Sequence, residues 1–69
     1  MESFSVEHWL PQATAGDSQA RFYLGKIFSC GLGVHQDYKL AIYWFQLAAE
    51  QGHDDAQFNL GWVYHLGLG

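Results

Sequence analysis

The chain has 69 residues and a formal net charge of −4, with three Lys and Arg residues against seven Asp and Glu. Nucleic acids and anionic membranes bind clustered positive charge, so this balance argues against both as main partners. Cys30 is the only cysteine, which excludes an intrachain disulfide, and the N-terminus lacks the basic start and apolar core of a signal peptide. We expect a single small cytoplasmic domain without membrane insertion; a processed periplasmic or secreted fragment would have the same composition.

The first predicted helix covers about residues 5–15 and corresponds by position to a later, more apolar helix. Pro11 stands where the later helix has Leu47. Proline lacks the backbone N–H and removes a helical hydrogen bond. We therefore expect this first helix to be frayed, bent or shortened.

The second predicted helix starts after a tight turn at Gly16. Glycine there can adopt the left-handed conformation that ends one helix, and Ser18, two residues later, is a predicted N-cap. Apolar residues then follow helical spacing as far as Cys30, where Gly31 breaks the helix.

The third predicted helix runs from about Tyr38 to Gln51, with Asp37 as its N-cap. It is apolar around most of its circumference, so we expect other helices to cover it on more than one side. Its longest apolar stretch, 40–49, is interrupted by Gln46 and is too short to cross a bilayer.

The fourth predicted helix covers about residues 54–66 and follows a second tight turn at Gly52. Asp54, with Gln57 three residues later, fits a capping box. Apolar residues inside the helix repeat the spacing of the second helix.

An internal repeat relates these helices, because a shift of 36 residues superimposes the sequence on itself. Nine of the 31 compared positions (3–33 against 39–69) are identical, where average residue usage would give roughly two. A fixed period of this size is typical of solenoids. Gly25 and Gly61 stand at matching positions inside helices, which predicts a close approach by another helix backbone.

The combined pattern of both units resembles a Sel1-like repeat, a branch of the tetratricopeptide-type helical solenoids. The motif is carried by Ala20, Leu24, Gly25, Phe28, Gly31, Gly33, Val34, Asp37, Ala41, Trp44, Phe45, Ala48, Ala49, Gly52 and Ala56. The resemblance implies an all-α, right-handed solenoid with first helices lining a concave face. By register, the single module 1–69 holds a second helix (about 5–15), a full repeat (18–51) and the first helix of a further, incomplete repeat (54–66).

The resemblance also implies a non-enzymatic protein–protein adaptor, commonly in bacterial signalling, envelope assembly or host interaction. No catalytic residue is carried over with the motif. The four histidines have no close pair at metal-ligand spacing, and we predict no cofactor and no metal site. No Ser/His/Asp or Cys/His grouping predicts an enzyme.

A stripe on the first helices of the two units is the predicted partner-binding surface, since positions that differ between units are free to specialise. Its six members are Gln19, Tyr23, Lys26, Asp55, Asn59 and Trp62. Tyr23 and Trp62 are the predicted aromatic anchors. The alternative is that Trp62 packs against a neighbouring helix.

The last helix presents a second candidate surface, because no further helix follows to cover it. Its apolar residues are Val63, Tyr64, Leu66 and Leu68. Each large side chain left in water forfeits roughly 1.5–3 kcal/mol of burial. Two readings follow: a scaffold that continues beyond residue 69, or a self-assembling module that pairs as a homodimer through this helix.

Overall fold

The computed structural model describes residues 5–67, which form four α-helices and no β-strand. In chain order the helices are α1 (Val6–Thr14), α2 (Ser18–Cys30), α3 (Tyr38–Glu50) and α4 (Asp54–His65). Each helix packs mainly on the next one along the chain. The predicted short all-α solenoid is confirmed. None of these four helices has the length and apolarity needed to span a bilayer.

Helix α1 is shorter than the two helices that follow it, and the bend expected at Pro11 stays a prediction. It has nine residues, against 13 in α2 and in α3, although the helix continues for three residues beyond the proline. The Ser5 side chain caps its start by accepting from the backbone N–H of His8.

The N-caps of α2 and α4 each lie one residue earlier than the sequence predicts. Asp17, not Ser18, caps α2, because its extended backbone lets Oδ1 accept the N–H groups of Gln19 (2.9 Å) and Ala20 (3.2 Å). The preceding Gly16 has φ +106°, so its predicted left-handed conformation is confirmed.

At α4 the cap is likewise one residue earlier than predicted. The Nδ1 atom of His53, not the carboxylate of Asp54, accepts the N–H of Ala56 at 3.1 Å. Gln57 does not close a capping box; its Nε2 donates to the Ala49 carbonyl at 3.1 Å. The cap predicted for α3 is confirmed, since Asp37 caps that helix.

The core divides into two clusters on either side of α2. Between α1 and α2 the buried residues are Ala13, Ala20, Leu24 and Ile27. Between α3 and α4 they are Ala41, Phe45, Ala48, Ala56 and Val63, with Phe22 and Phe28 of α2 packed against them. Helix α3 is thus covered by α2 and α4, as its apolar circumference predicts, and exposes Leu40 and Tyr43 on its free side.

The two glycines inside helices have different surroundings. The prediction that each lies against another helix backbone is wrong. A Cβ atom at Gly25 would lie 2.5 Å from Cδ1 of Phe45, so the close neighbour is an aromatic ring. A Cβ atom at Gly61 would meet nothing within 4 Å. Matching sequence positions therefore differ because α3 covers α2, while no helix within residues 5–67 covers the same face of α4.

Candidate protein-interaction surface

A groove of about 240 Å³ lies between α2 and α4. Both helices pack on α3 and hardly touch each other, so the space between them stays open. From the two helices the lining includes Lys26, Ser29, Cys30, Asn59, Trp62 and Leu66, and from α3 it includes Tyr38 and Phe45. The groove therefore combines side chains of the predicted stripe from both units.

Trp62 dominates the α4 side of the groove. Its side chain is 55% exposed, and its indole stacks at 6.5 Å and 8° on the ring of Phe58. On its other side it stacks on the imidazole of His65 at 5.8 Å and 14°. The three rings form one continuous aromatic strip, and more than half of the indole surface stays exposed.

Polar groups lie on both sides of the groove. Lys26 is half-buried, and its Nζ lies 6.0 Å from the ring centroid of Phe22, at the outer limit of a cation–π contact. Asn59 Nδ2 donates to the Asp55 carbonyl at 2.8 Å, which orients the amide on α4. A cation, an amide and an indole around an apolar floor suit an apolar side chain flanked by an acidic group.

Tyr23, the other predicted anchor, does not line the groove. It is half-buried, and its ring packs against Trp9 of α1 at 4.6 Å between centroids. The structure therefore places Tyr23 in the contact between α1 and α2, on a different face from Trp62.

The remaining stripe residues lie beyond the groove. Gln19 is exposed at the start of α2, with its Oε1 2.8 Å from Nε2 of His53, so the two helix starts are joined. Asp55 is exposed in the first turn of α4. Of the six predicted residues, the structure brings Lys26, Asn59 and Trp62 together.

The residues predicted for the open end also lie in different environments. Val63 is only 6% exposed and belongs to the core, so its prediction as an open-end contact is wrong. Tyr64 is 54% exposed, and its hydroxyl accepts from Gln46 Nε2 at 3.0 Å. Leu66 is exposed and lines the groove. Leu68 lies outside the described residues.

Phe58 is the exposed residue that sequence reasoning missed. At 73% it is the most exposed large apolar side chain among residues 5–67. Its identity with Phe22 in the other unit marked it as architectural, and Phe22 is indeed half-buried. The only signal for its exposure was its place on the helix that lacks a cover.

Within residues 5–67, no group of three or more His, Cys, Asp or Glu side chains is placed to hold a metal ion. Of the histidines, His53 has a structural role as the cap of α4. Cys30 is a free, exposed thiol at the end of α2.

Comparison with known proteins identifies the helical unit. The model of the Sel1 repeat matches residues 18–53 and 54–69, more than half of the chain. The chain belongs to the Sel1 repeat family. The resemblance seen in the motif is confirmed, and Sel1 repeats are in general modules that bind other proteins.

Curated relatives of this Sel1 repeat chain are much longer proteins. It is 34% identical over 65 residues to DAP3-binding cell death enhancer 1 of Rattus norvegicus, covering 94% of this chain and 13% of that protein. It is 40% and 42% identical over 62 residues to protein sel-1 homolog 2 of Mus musculus and Homo sapiens, covering 88% of this chain and 9% of each protein. These relatives are mammalian and give no support to the expected bacterial setting. No solved structure matches the chain significantly.

Proposed function

We propose that this Sel1 repeat chain is a non-enzymatic interaction module whose groove between α2 and α4 binds a segment of another protein. The observation that carries the proposal is the exposed Trp62 indole facing Lys26 across the groove. Tryptophan is among the side chains that most often dominate the binding energy of protein interfaces.

The size of the groove favours a protein segment over a small metabolite. Its volume of about 240 Å³ is below the roughly 300–1,000 Å³ of small-molecule pockets. It has room for one large apolar side chain inserted from a partner. Lys26 at one edge favours an acidic residue next to that side chain.

The relatives agree with such a role in general terms. One of them is named for binding a protein, DAP3. This chain spans only 9–13% of the relatives' length, so no individual partner of theirs is assigned to it. A cytoplasmic location and the division into 5–15, 18–51 and 54–66 remain our predictions.

Affinity capture from lysate of the source cells tests the groove. We expect the wild-type chain to retain a protein that is lost with Trp62→Ala and with Lys26→Glu. Tyr43→Ala is the matched control, because Tyr43 is equally exposed but lies on α3 outside the groove. Circular dichroism should show equal helicity for all four proteins. Equal capture by all of them would contradict the proposal.

A second candidate function is self-assembly through α4. The specific observation in its favour is Phe58, which is exposed where its counterpart Phe22 is packed against α3. Tyr64 and Leu66 extend the same uncovered helix. This candidate shares Leu66 with the groove lining, and its Phe58 stacks on Trp62; it predicts a mass that rises with concentration.

A further inference from the structure

Three residues of α2 show how one face of a first helix is covered in this fold. The ring of Phe22 lies 6.0 Å from that of Phe45, and the same Phe45 ring fills the space above Gly25. Phe28 packs against the same core cluster. Positions 22, 25 and 28 therefore form the face of α2 that accepts α3.

No helix within residues 5–67 covers the equivalent face of α4. Phe58 and Tyr64 are both more than half exposed, and Gly61 between them has open space where a side chain would be. The three residues are spaced by three and lie along one side of the helix. This set, Phe58, Gly61 and Tyr64, is called the α4 face below.

Helix α1 of a second copy is a poor cover for the α4 face. In α3, which has helices on both sides, Ala41 and Ala48 are fully buried. The matching positions are Ser5, which caps α1, and Gln12 within α1, and both are exposed. Each makes one hydrogen bond within the helix, so covering α1 in the way α3 is covered would take the rest of a hydroxyl and an amide out of water, which is costly without new hydrogen bonds. Head-to-tail stacking of copies is therefore disfavoured.

We propose that two copies of the chain pair through their α4 faces, antiparallel, around a two-fold axis at Gly61. Phe58 and Tyr64 each lie three residues from Gly61, so this register places Phe58 of each copy opposite Tyr64 of the partner subunit. Two aromatic pairs then flank a crossing point at which the glycines let the backbones approach closely. The same patch meets itself, as a closed two-fold interface requires.

Charge favours the antiparallel orientation. Helix α4 has Asp54 and Asp55 in its first turn and His65 in its last. An antiparallel pair keeps the acidic starts of the two helices apart and opposes the two helix dipoles. A parallel pair would bring four carboxylates together. This inference rests on the second candidate function, and it shares Phe58 with the aromatic strip beside the groove.

Sedimentation equilibrium of the full 69-residue chain tests the dimer. We expect the wild type to shift from monomer to dimer with concentration, and Gly61→Gln or Phe58→Gln to raise the dimer Kd at least about tenfold. Gly61→Gln should keep or raise helicity, because a side chain there meets nothing in the monomer. Leu10→Gln on α1 is the matched control, and Lys26→Glu separates this test from the groove; both should dimerise like wild type.

A covalent test fixes the register. In a Cys30→Ser background, Gly61→Cys places two thiols at the proposed axis and should oxidise to a covalent dimer, whereas Glu50→Cys on α3 should not. A wild-type mass that stays monomeric at all concentrations would overturn the dimer. So would a dimer that Gly61→Gln and Phe58→Gln leave unchanged. A monomer that instead binds a synthetic peptide of residues 37–51 through Phe58 would assign the α4 face to a repeat-type helix and also overturn it.

Discussion

The ring of Phe45 lies where a side chain on Gly25 would have to be, with Cδ1 and Cε1 each 2.5 Å from the position of the missing Cβ. Phe45 is fully buried and cannot move outward without opening the cluster between α3 and α4. The pair sets how closely α2 and α3 approach each other.

Gly25→Ala and Gly61→Ala should therefore have opposite effects on stability. Overpacking against Phe45 should lower the free energy of unfolding by about 1–3 kcal/mol for Gly25→Ala. Gly61→Ala should raise it by up to about 1 kcal/mol, because alanine is the better helix former and its Cβ meets nothing. Urea denaturation followed by circular dichroism at low protein concentration measures both. Equal effects would mean that the ring adapts freely.

Replacing the two predicted aromatic anchors, Tyr23 and Trp62, should affect stability to different degrees. Tyr23→Ala should destabilise the fold by about 1–3 kcal/mol, since it removes the ring packed between α1 and α2. Trp62→Ala should cost less, about 1 kcal/mol, because the indole is 55% exposed and its two stacking partners are exposed as well. Thermal denaturation of the two variants compares them directly. A larger loss for Trp62→Ala would place that residue in the core.

The cap of α4 can be tested by exchanging it for the cap of α2. His53→Ala should cost about 1 kcal/mol, because the N–H of Ala56 loses its acceptor. His53→Asp should retain most of the stability, since Asp17 performs the same role in α2. Chemical denaturation of both variants is the measurement. An equal loss in the two would show that the contacts of His53 with Gln19 and the Phe22 ring, not the cap, stabilise this turn.

Arg21 and Gln51 join the end of α1 and the loop after it to the end of α3. Arg21 Nε donates to the Ala13 carbonyl at 3.0 Å and its Nη1 to Gln51 Oε1 at 3.0 Å, while Gln51 Nε2 donates to the Gly16 carbonyl at 2.7 Å. Arg21→Met keeps an apolar stem but loses both donors, so we expect a loss of about 1 kcal/mol. Lys39→Met, on the exposed side of α3, is the control and should be near neutral. Indistinguishable melting curves would contradict a stabilising role for the network.

Much of the fold followed from local patterns. Helical spacing and glycine turns predicted four helices in the right order, because turn chemistry and amphipathic periodicity act over a few residues. The predicted caps of α2 and α4 are one residue too late, whereas that of α3 is correct. In α2 both Asp17 and Ser18 are good capping residues, and only the observed backbone selects between them. The repeat comparison identified which residues belong to the framework but treated Phe22 and Phe58 as equivalent.

The sequence predicted only part of the candidate surface. Helical spacing predicts the stripe, yet Tyr23 packs on α1 while Lys26 and Trp62 line the groove. Spacing places residues along one helix but does not reveal which neighbour covers each part of it.

The 36-residue repeat and the positions of helices and turns were thus determined by the sequence itself, because they depend on backbone propensity and on apolar spacing within each unit. The tertiary structure decided which faces are covered. Gly25 and Gly61 show the difference: the same residue at the same repeat position is filled by the Phe45 ring in one unit and open in the other. Whether a residue is buried depends on the neighbouring helices, so burial is determined only by how the units stack.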